Sequence, residues 1–265
     1  MASPAQDWND PATVAEWVAG HGQQNLGRAD QLAMVLTLLA AHQPAGARIL
    51  DLGCGDGLVA ALVLDRLPGS TVTGLDQSAP MLDAAAARLA PYGDRATLLH
   101  RPFGDESPLP GAVPFDAAIA VQSVHHLDGP GKQRLFAWVA GQLRPGGLFL
   151  LSDRVALPSA GLFPYYQALF AARQAQTDAP GLPEGFGYAA HLRALAQRGD
   201  RPDTVEDQLD WLRAAGFGDA ACFYRFVERA IFGGLNGHAG PRNAPLASDD
   251  SAAIVDRPEA ADHGF

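Results

Sequence analysis

The stretch Ile49-Leu50-Asp51-Leu52-Gly53-Cys54-Gly55-Asp56-Gly57 constrains this chain more than any other. A short apolar run from residue 48 enters three alternate glycines, and residues 58–67 then carry apolar side chains at helical spacing until Pro68-Gly69 ends them. This reads as a strand, a tight turn and a helix. Glycines at such a turn let the backbone approach a ligand closely, and the start of the helix offers it free N–H groups. A dinucleotide fingerprint would need a glycine three residues after Gly55, where Leu58 stands. The β-rich segment 71–75 closes on Asp76, about 20 residues beyond the turn, where an acid accepts hydrogen bonds from both hydroxyls of a ribose. Together the turn and Asp76 imply a nucleoside ligand.

The rest of the chain extends this pattern. Residues 78–89 form a second helix with Ser78 as N-cap and Pro80 in its first turn. Further strands are read at 96–100, 115–121 and 147–152, with a helix at 131–143 that stops at Pro145-Gly146-Gly147. Short apolar strands alternating with helices predict an α/β fold, a doubly wound, mainly parallel sheet. Five segments follow: N-terminal helices jointed at Gly20, Gly22 and Gly27 (1–43), the α/β core (44–155), a helical and aromatic insertion (156–203), a final helix and edge hairpin (204–235) and a disordered tail (236–265). The final helix is capped by Thr204 and stopped by Gly216, and the hairpin is read at 217–227 and 229–232.

Composition excludes several classes. Against 29 acidic residues stand 19 basic ones, and no Lys/Arg run occurs, so no nucleic-acid-binding surface is expected. Cys54 and Cys222 lie far apart without metal-ligand neighbours, which argues against a disulfide framework or structural zinc and fits a reducing, cytoplasmic setting. Residues 1–10 are polar and acidic, without a secretory pattern. The longest apolar stretches, 33–41 and 117–121, fall short of the roughly 20 residues that a spanning helix needs, so no membrane association is expected.

Residues 48–234 resemble the class I S-adenosylmethionine-dependent methyltransferases. The glycine turn is similar to their motif I and Asp76 to the acidic end of their second strand. Phe115-Asp116-Ala117-Ala118-Ile119 resembles their fourth strand, Leu143-Arg144-Pro145-Gly146-Gly147 the turn into their fifth, and Ala215-Gly216-Phe217 the approach to their sixth. The resemblance implies a Rossmann-like seven-stranded sheet whose last strand is antiparallel, with S-adenosylmethionine across the carboxyl ends of the strands and S-adenosylhomocysteine as product. It implies that Gly53 and Gly55 line the methionine and ribose portion, that Asp51 reaches the ammonium, that Asp76 holds the ribose and that Gln77 and Met81 lie against the adenine. After the third strand the family places an acid near the adenine; here the chain reads His100-Arg101-Pro102-Phe103-Gly104-Asp105, and either Phe103 or Asp105 takes that place. Gln122 is expected at the methionine end.

The pair His125 and His126 is the acid/base candidate, with a purely structural role as the alternative. Gln122-Ser123-Val124-His125 replaces the Asn/Asp-Pro-Pro-aromatic signature of amino-methylating nucleic-acid enzymes. Neither a Pro-Cys pair nor a magnesium-binding acidic cluster is read there. The expectation is metal-independent methyl transfer to an oxygen, nitrogen or carbon of a small-molecule acceptor, by an enzyme for which a homodimer is left open. The rivals are transfer of another group from a modified donor and a non-catalytic binder of the donor. The acceptor pocket is expected under a lid made of residues 17–28 and of the insertion around Tyr165, Tyr166 and Phe170, with Gly181, Gly185 and Gly187 as joints.

Overall fold

The structure is a computed structural model that describes residues 7–20, 27–42, 46–103, 105, 107, 109, 113–176 and 187–237. Two helices lead, α1 (Pro11–Ala19) and α2 (Arg28–His42). Asp10 caps α1 by accepting hydrogen bonds from the backbone of Ala12 and Thr13. The joint at Gly22, the joints at Gly181 and Gly185, and the tail beyond residue 237 lie outside the described residues. Next come β1 (Arg48–Leu52), α3 (Leu58–Arg66), β2 (Thr71–Asp76), α4 (Ala79–Leu89), β3 (Ala96–His100) and β4 (Phe115–Val121). As its sequence position predicts, the Ser78 hydroxyl accepts from the Met81 N–H at the start of α4. Then follow α5 (Gly129–Gln142), β5 (Leu143–Arg154), α6 (Phe163–Gln176), α7 (Tyr188–Gln197), α8 (Val205–Ala214), β6 (Ala221–Phe226) and β7 (Arg229–Leu235).

The seven strands form one sheet in the order β3-β2-β1-β4-β5-β7-β6. The first five are parallel, and β7 runs antiparallel to both of its neighbours. In the central strands both faces are buried, and successive residues alternate between them. Leu50, Ala118 and Phe149 pack toward α5 and α8, whereas Ile49, Ala117, Ile119, Leu148 and Leu150 pack toward α2 and α3. Near-continuous apolar strands are what a parallel sheet covered on both sides requires.

Two boundaries differ from the sequence reading, each for a physical reason. Strand β5 begins at Leu143, which pairs with Phe115; the register then jumps to Ala117 opposite Leu148, so the Pro145-Gly146-Gly147 segment is an irregularity within the strand and not its start. At the other end β5 continues past Ser152, because Asp153 and Arg154 pair with Ala230 and Arg229 of β7. Likewise β7 does not end at Phe232 but runs on through Gly233 and Gly234. A Cβ at Gly233 would stand 1.9 Å from the Phe149 carbonyl oxygen, so the glycine reflects close backbone approach, not a break. Asn236 then ties the strand end down by donating to the carbonyls of Ala140 and Leu143 at 2.9 and 3.0 Å.

Because that clash is with backbone inside the sheet, Gly233→Ala is expected to cost roughly 3 kcal/mol or more, the upper range of overpacking effects. Urea unfolding of the variant beside the parent measures it; a midpoint unchanged within error would show that β7 can move away from β5.

Candidate active site

An open cleft of about 1100 Å³ of atom-free space lies at the carboxyl ends of β1, β2, β4 and β5. Open α/β sheets bind ligands at this edge, where the strand order reverses. Its floor is the turn after β1. The Gly53 and Cys54 amides donate to the Leu75 carbonyl at 2.8 and 3.0 Å, which draws the turn against the end of β2. A Cβ at Gly53 would lie 2.4 Å from the Ser123 Cβ and 3.0 Å from the Phe103 ring, so no side chain fits at that position. The Asp76 carboxylate locks the turn, accepting from the Gly55 N–H on one oxygen and the Ser78 N–H on the other, both at 2.9 Å. Arg88 of α4 grips the far end of the turn through the Asp56 carboxylate at 2.6 Å.

The charges on this floor are unevenly compensated. Asp51 is fully buried, its Oδ2 has no hydrogen-bond partner among the described residues, and burial together with the Asp76 charge pushes its carboxyl up to about 7. Asp76 is raised in the same direction by burial, against the three backbone amides that hold it down. Burial also pushes the Cys54 thiol up, which leaves it a packing group and not a nucleophile. A buried, unpaired carboxylate oxygen beside a glycine cradle suits a ligand that brings a cationic hydrogen-bond donor.

Of the residues singled out in the sequence, Asp51, Gly53, Gly55, Asp76, Gln77, Met81, Phe103, Gln122, His125 and His126 all line this one cleft. Asp105 does not; it turns away to pair with Arg101 at 2.8 Å. Gln122 adopts φ +55°, a conformation shared among the described non-glycine residues only by Val227. Such a backbone state costs on the order of 1 kcal/mol, and here it turns the chain sharply after β4. Trp8 and Trp17, packed edge to face at 5.3 Å, and Arg28 also line the cleft, so the N-terminal helices do reach it. The insertion aromatics do not line it: Tyr165 is exposed, Tyr166 lies under Arg225, and Phe170 packs with Tyr188 and His191. What the insertion contributes instead is Arg198 and Asp200.

The other end of the cleft is a polar network that sequence reasoning missed apart from its histidines. Asp153 accepts from the Val124 and His125 amides at 2.8 and 3.0 Å and from His125 Nδ1. Burial would raise its carboxyl, yet the His125 ring and Arg154 hold it down at about 2. Arg154 Nη1 donates to His125 Nε2 at 2.8 Å and to Asp200 Oδ2 at 2.6 Å, which fixes His125 as the Nδ1–H tautomer and commits both of its nitrogens. His126 is freer, with a side chain one-third exposed. Burial lowers it to about 4, against the pull of Asp200 and Asp153, so its ring is neutral near pH 7. His125, His126 and Asp200 come close enough to suggest a metal site, but Arg154 already occupies His125 Nε2 and Asp200 with a positive charge, and the donor set does not fit a cation. The one sequence signal was the run Ser152-Asp153-Arg154 at the carboxyl end of a core strand, where ligands bind; Asp200 carried no local signal.

Residues 50–149 match a family model described as a methyltransferase domain. Trans-aconitate 2-methyltransferase of Streptomyces avermitilis is 32% identical over 78% of this chain and 81% of its own length. The 27-O-demethylrifamycin SV methyltransferase of Amycolatopsis mediterranei is 30% identical over 84% of this chain and 75% of its own. Among solved structures, a 1,6-didemethyltoxoflavin-N1-methyltransferase of Burkholderia thailandensis shares the fold with a TM-score of 0.56 at 21% identity, covering 90% of this chain and 94% of that one.

Asp51 yields a prediction with a definite sign. With its folded pKa at about 7 against an ordinary value of 3.8, the folded protein binds more protons than the unfolded chain between those limits, and stability falls as pH rises through that window. Asp51→Asn is therefore expected to stabilise the ligand-free protein by on the order of 2 kcal/mol at pH 8, with the gain vanishing as pH falls to 4. Thermal unfolding of both proteins across pH tests this; a gain independent of pH would mean that the carboxylate is not the strained group.

Proposed function

Because the chain belongs to the class I S-adenosylmethionine-dependent methyltransferases, we propose that the cleft holds S-adenosylmethionine over the β1 turn and a small-molecule acceptor at the His126 end. The observation that carries this reading is the unpaired Oδ2 of buried Asp51 in the same cleft as Asp76 and the tightly packed Gly53 turn. Asp51 would accept from the donor's ammonium and Asp76 from its ribose hydroxyls, on lone pairs left free by the Gly55 and Ser78 amides. Gln77, Met81 and Phe103 would flank the adenine, and Gln122 the methionine end. Arg28 has a buried Nε without a partner among the described residues and is suited to a carboxylate. When bound, S-adenosylmethionine supplies a methyl group made electrophilic by its sulfonium.

The protein's own work is then alignment and exclusion of water. The turn and Asp76 fix one reactant, the network of Asp153, His125, Arg154 and Asp200 shapes the place of the other, and Trp8, Trp17 and Arg28 cover the cleft from the N-terminal side. The lid of this reading is the N-terminal segment, with Arg198 and Asp200 as the insertion's part. Both relatives reported above carry the names of small-molecule acceptors, which supports an acceptor of that class here, whereas nothing favours transfer of another group or binding without turnover. Among the described residues no helix is long and apolar enough to cross a membrane, and with two free cysteines the reading is of an enzyme of a reducing compartment.

Calorimetric titration with S-adenosylhomocysteine tests the donor site. Binding is expected in the parent, and Asp76→Ala is expected to weaken it by about 1–3 kcal/mol, the range for loss of a charged hydrogen-bond partner. Absence of binding in the parent would sink the donor reading; equal affinity in the variant would remove Asp76 from it. Turnover is expected to survive EDTA, and a rate that vanishes with chelation and returns with magnesium would show the enzyme to need a metal.

A further inference from the structure

The large apolar side chains that reach the surface are clustered. Of the five exposed among the described residues, Val113 precedes β4 and Phe223 lies on β6, but Leu162, Tyr165 and Leu169 share one face of α6 and the 3₁₀ turn that leads into it (Ala160–Leu162). They are exposed by 40%, 69% and 47%, and exposed Ala172 continues the row. The spacing of three, four and three residues is that of a seam by which helices pair. The opposite face of α6 is spent inside the protein, with Phe170 against Tyr188 and His191 and Tyr166 under Arg225. Isolated apolar residues on a surface are ordinary, whereas a contiguous row rimmed by polar residues marks an interaction surface. We propose that this face binds the same face of a second copy of this chain, the two α6 helices lying antiparallel about a two-fold axis.

Charge and shape select this occupant. The chain has a net charge of −10, so two copies repel wherever their acidic surfaces meet. Other helices present exposed acids, Glu206, Asp207 and Asp210 on α8, Asp83 on α4 and Asp65 on α3. From Phe163 to Ala172, in contrast, α6 has no charged residue, and its Arg173 turns to Asp30 of α2 at 3.8 Å. A charged partner finds no counter-charge on such a face. A lipid surface fits no better, because a helix lying on a membrane carries Lys/Arg along its polar side and anionic headgroups repel an acidic protein. The row is also complementary to itself. In an antiparallel pair centred on α6, Leu162 of one copy faces Ala172 of the other and Tyr165 faces Leu169, and the two-fold axis repeats each contact. Large thus meets small at the ends, where parallel helices would set Ala172 against Ala172 and leave a void. The exposed Ala168 and Ala175 beside the row let the two axes approach closely. A helix of 14 residues is about 21 Å long, which makes an interface smaller than the standard of roughly 800 Å² per partner, so the dimer is weak and reversible. Since α6 packs on α7, which leads to Arg198 and Asp200 of the cleft, the second copy braces the insertion from its outer side.

Sedimentation velocity of the full chain, over a concentration series reaching about 100 µM, reads the oligomeric state without any ligand and so stands apart from the donor reading. The parent is expected to pass reversibly from monomer to dimer along the series. Leu169→Glu and Tyr165→Lys, each made alone, are expected to weaken the dimer at least 10-fold. Mixed in equal amounts, these two variants are expected to associate with each other. In the antiparallel register the introduced carboxylate of one chain meets the introduced ammonium of the other, while the native Tyr165–Leu169 pair is kept on the second side of the axis. Both positions are exposed, so the thermal midpoints are expected to stay within about 2 °C of the parent, which separates a lost dimer from a lost fold. A parent that remains monomeric throughout, a dimer that Leu169→Glu leaves intact, or a mixture no more associated than either variant alone would each overturn the proposal.

Discussion

The contact on which the rest of this structure depends is one that admits no side chain, the seating of Gly53 against Ser123 and Phe103. It joins the end of β1 to the turn after β4 and to the segment after β3, while the Gly53 and Cys54 amides reach the end of β2. Four strand ends are thereby held at one place, and the cleft is the space left above them. In a sheet of parallel strands the unpaired carboxyl ends all lie on one edge, so a single tight turn can organise every segment that leaves it.

Asp51 and Asp153 show how the same burial produces opposite chemistry. Their exposures are 1% and 3%, and both lie at the carboxyl end of a core strand. Asp153 is surrounded by donors, two backbone amides from the turn after β4 and a histidine ring, and its carboxyl is held down at about 2. Asp51 has an oxygen without a partner and a second acid nearby, and its carboxyl rises to about 7. The first is a structural hub that the fold satisfies by itself; the second is left unsatisfied by the described residues. Whether a buried acid builds a protein or binds its ligand is decided by the number of donors that reach it.

The same distinction explains what could be read in the amino-acid order. The β1 turn, Asp76 and the capped helix starts are local patterns, in which the residues that cause a structure are adjacent to the structure they cause, and they fall where the sequence puts them. The reach of β5 to Arg154 was not legible, because polar Asp153 and Arg154 read as the end of an apolar run and are held in the strand only by pairing with β7, some 75 residues on. Gly233 misled for a related reason: from sequence a glycine pair ends a strand, and in space it lets one pass beside Phe149. The aromatics of the insertion were expected over the cleft for their apolar surface, but Phe170, Tyr188 and His191 spend that surface on one another. Asp200 had no local mark at all; its meaning comes from Arg154, which it meets only after folding.

The place of β7 bears on how the molecule comes into being. This strand is the last of the sheet to leave the ribosome, yet it is not an edge: it lies between β5 and β6 and pairs with β5 along its length. A nascent chain emitted as far as α8 can lay down β1 to β5 with the glycine turn and Asp76, while the flank of β5 that bears Asp153 and Arg154 is still open. The two halves of the cleft are thus separated in time as well as in space. A chain cut or stalled before residue 229 has the β1 to β5 frame and a bare strand edge on β5, a template for pairing with other chains. Until β7 closes that edge, the partly made protein is exposed to aggregation.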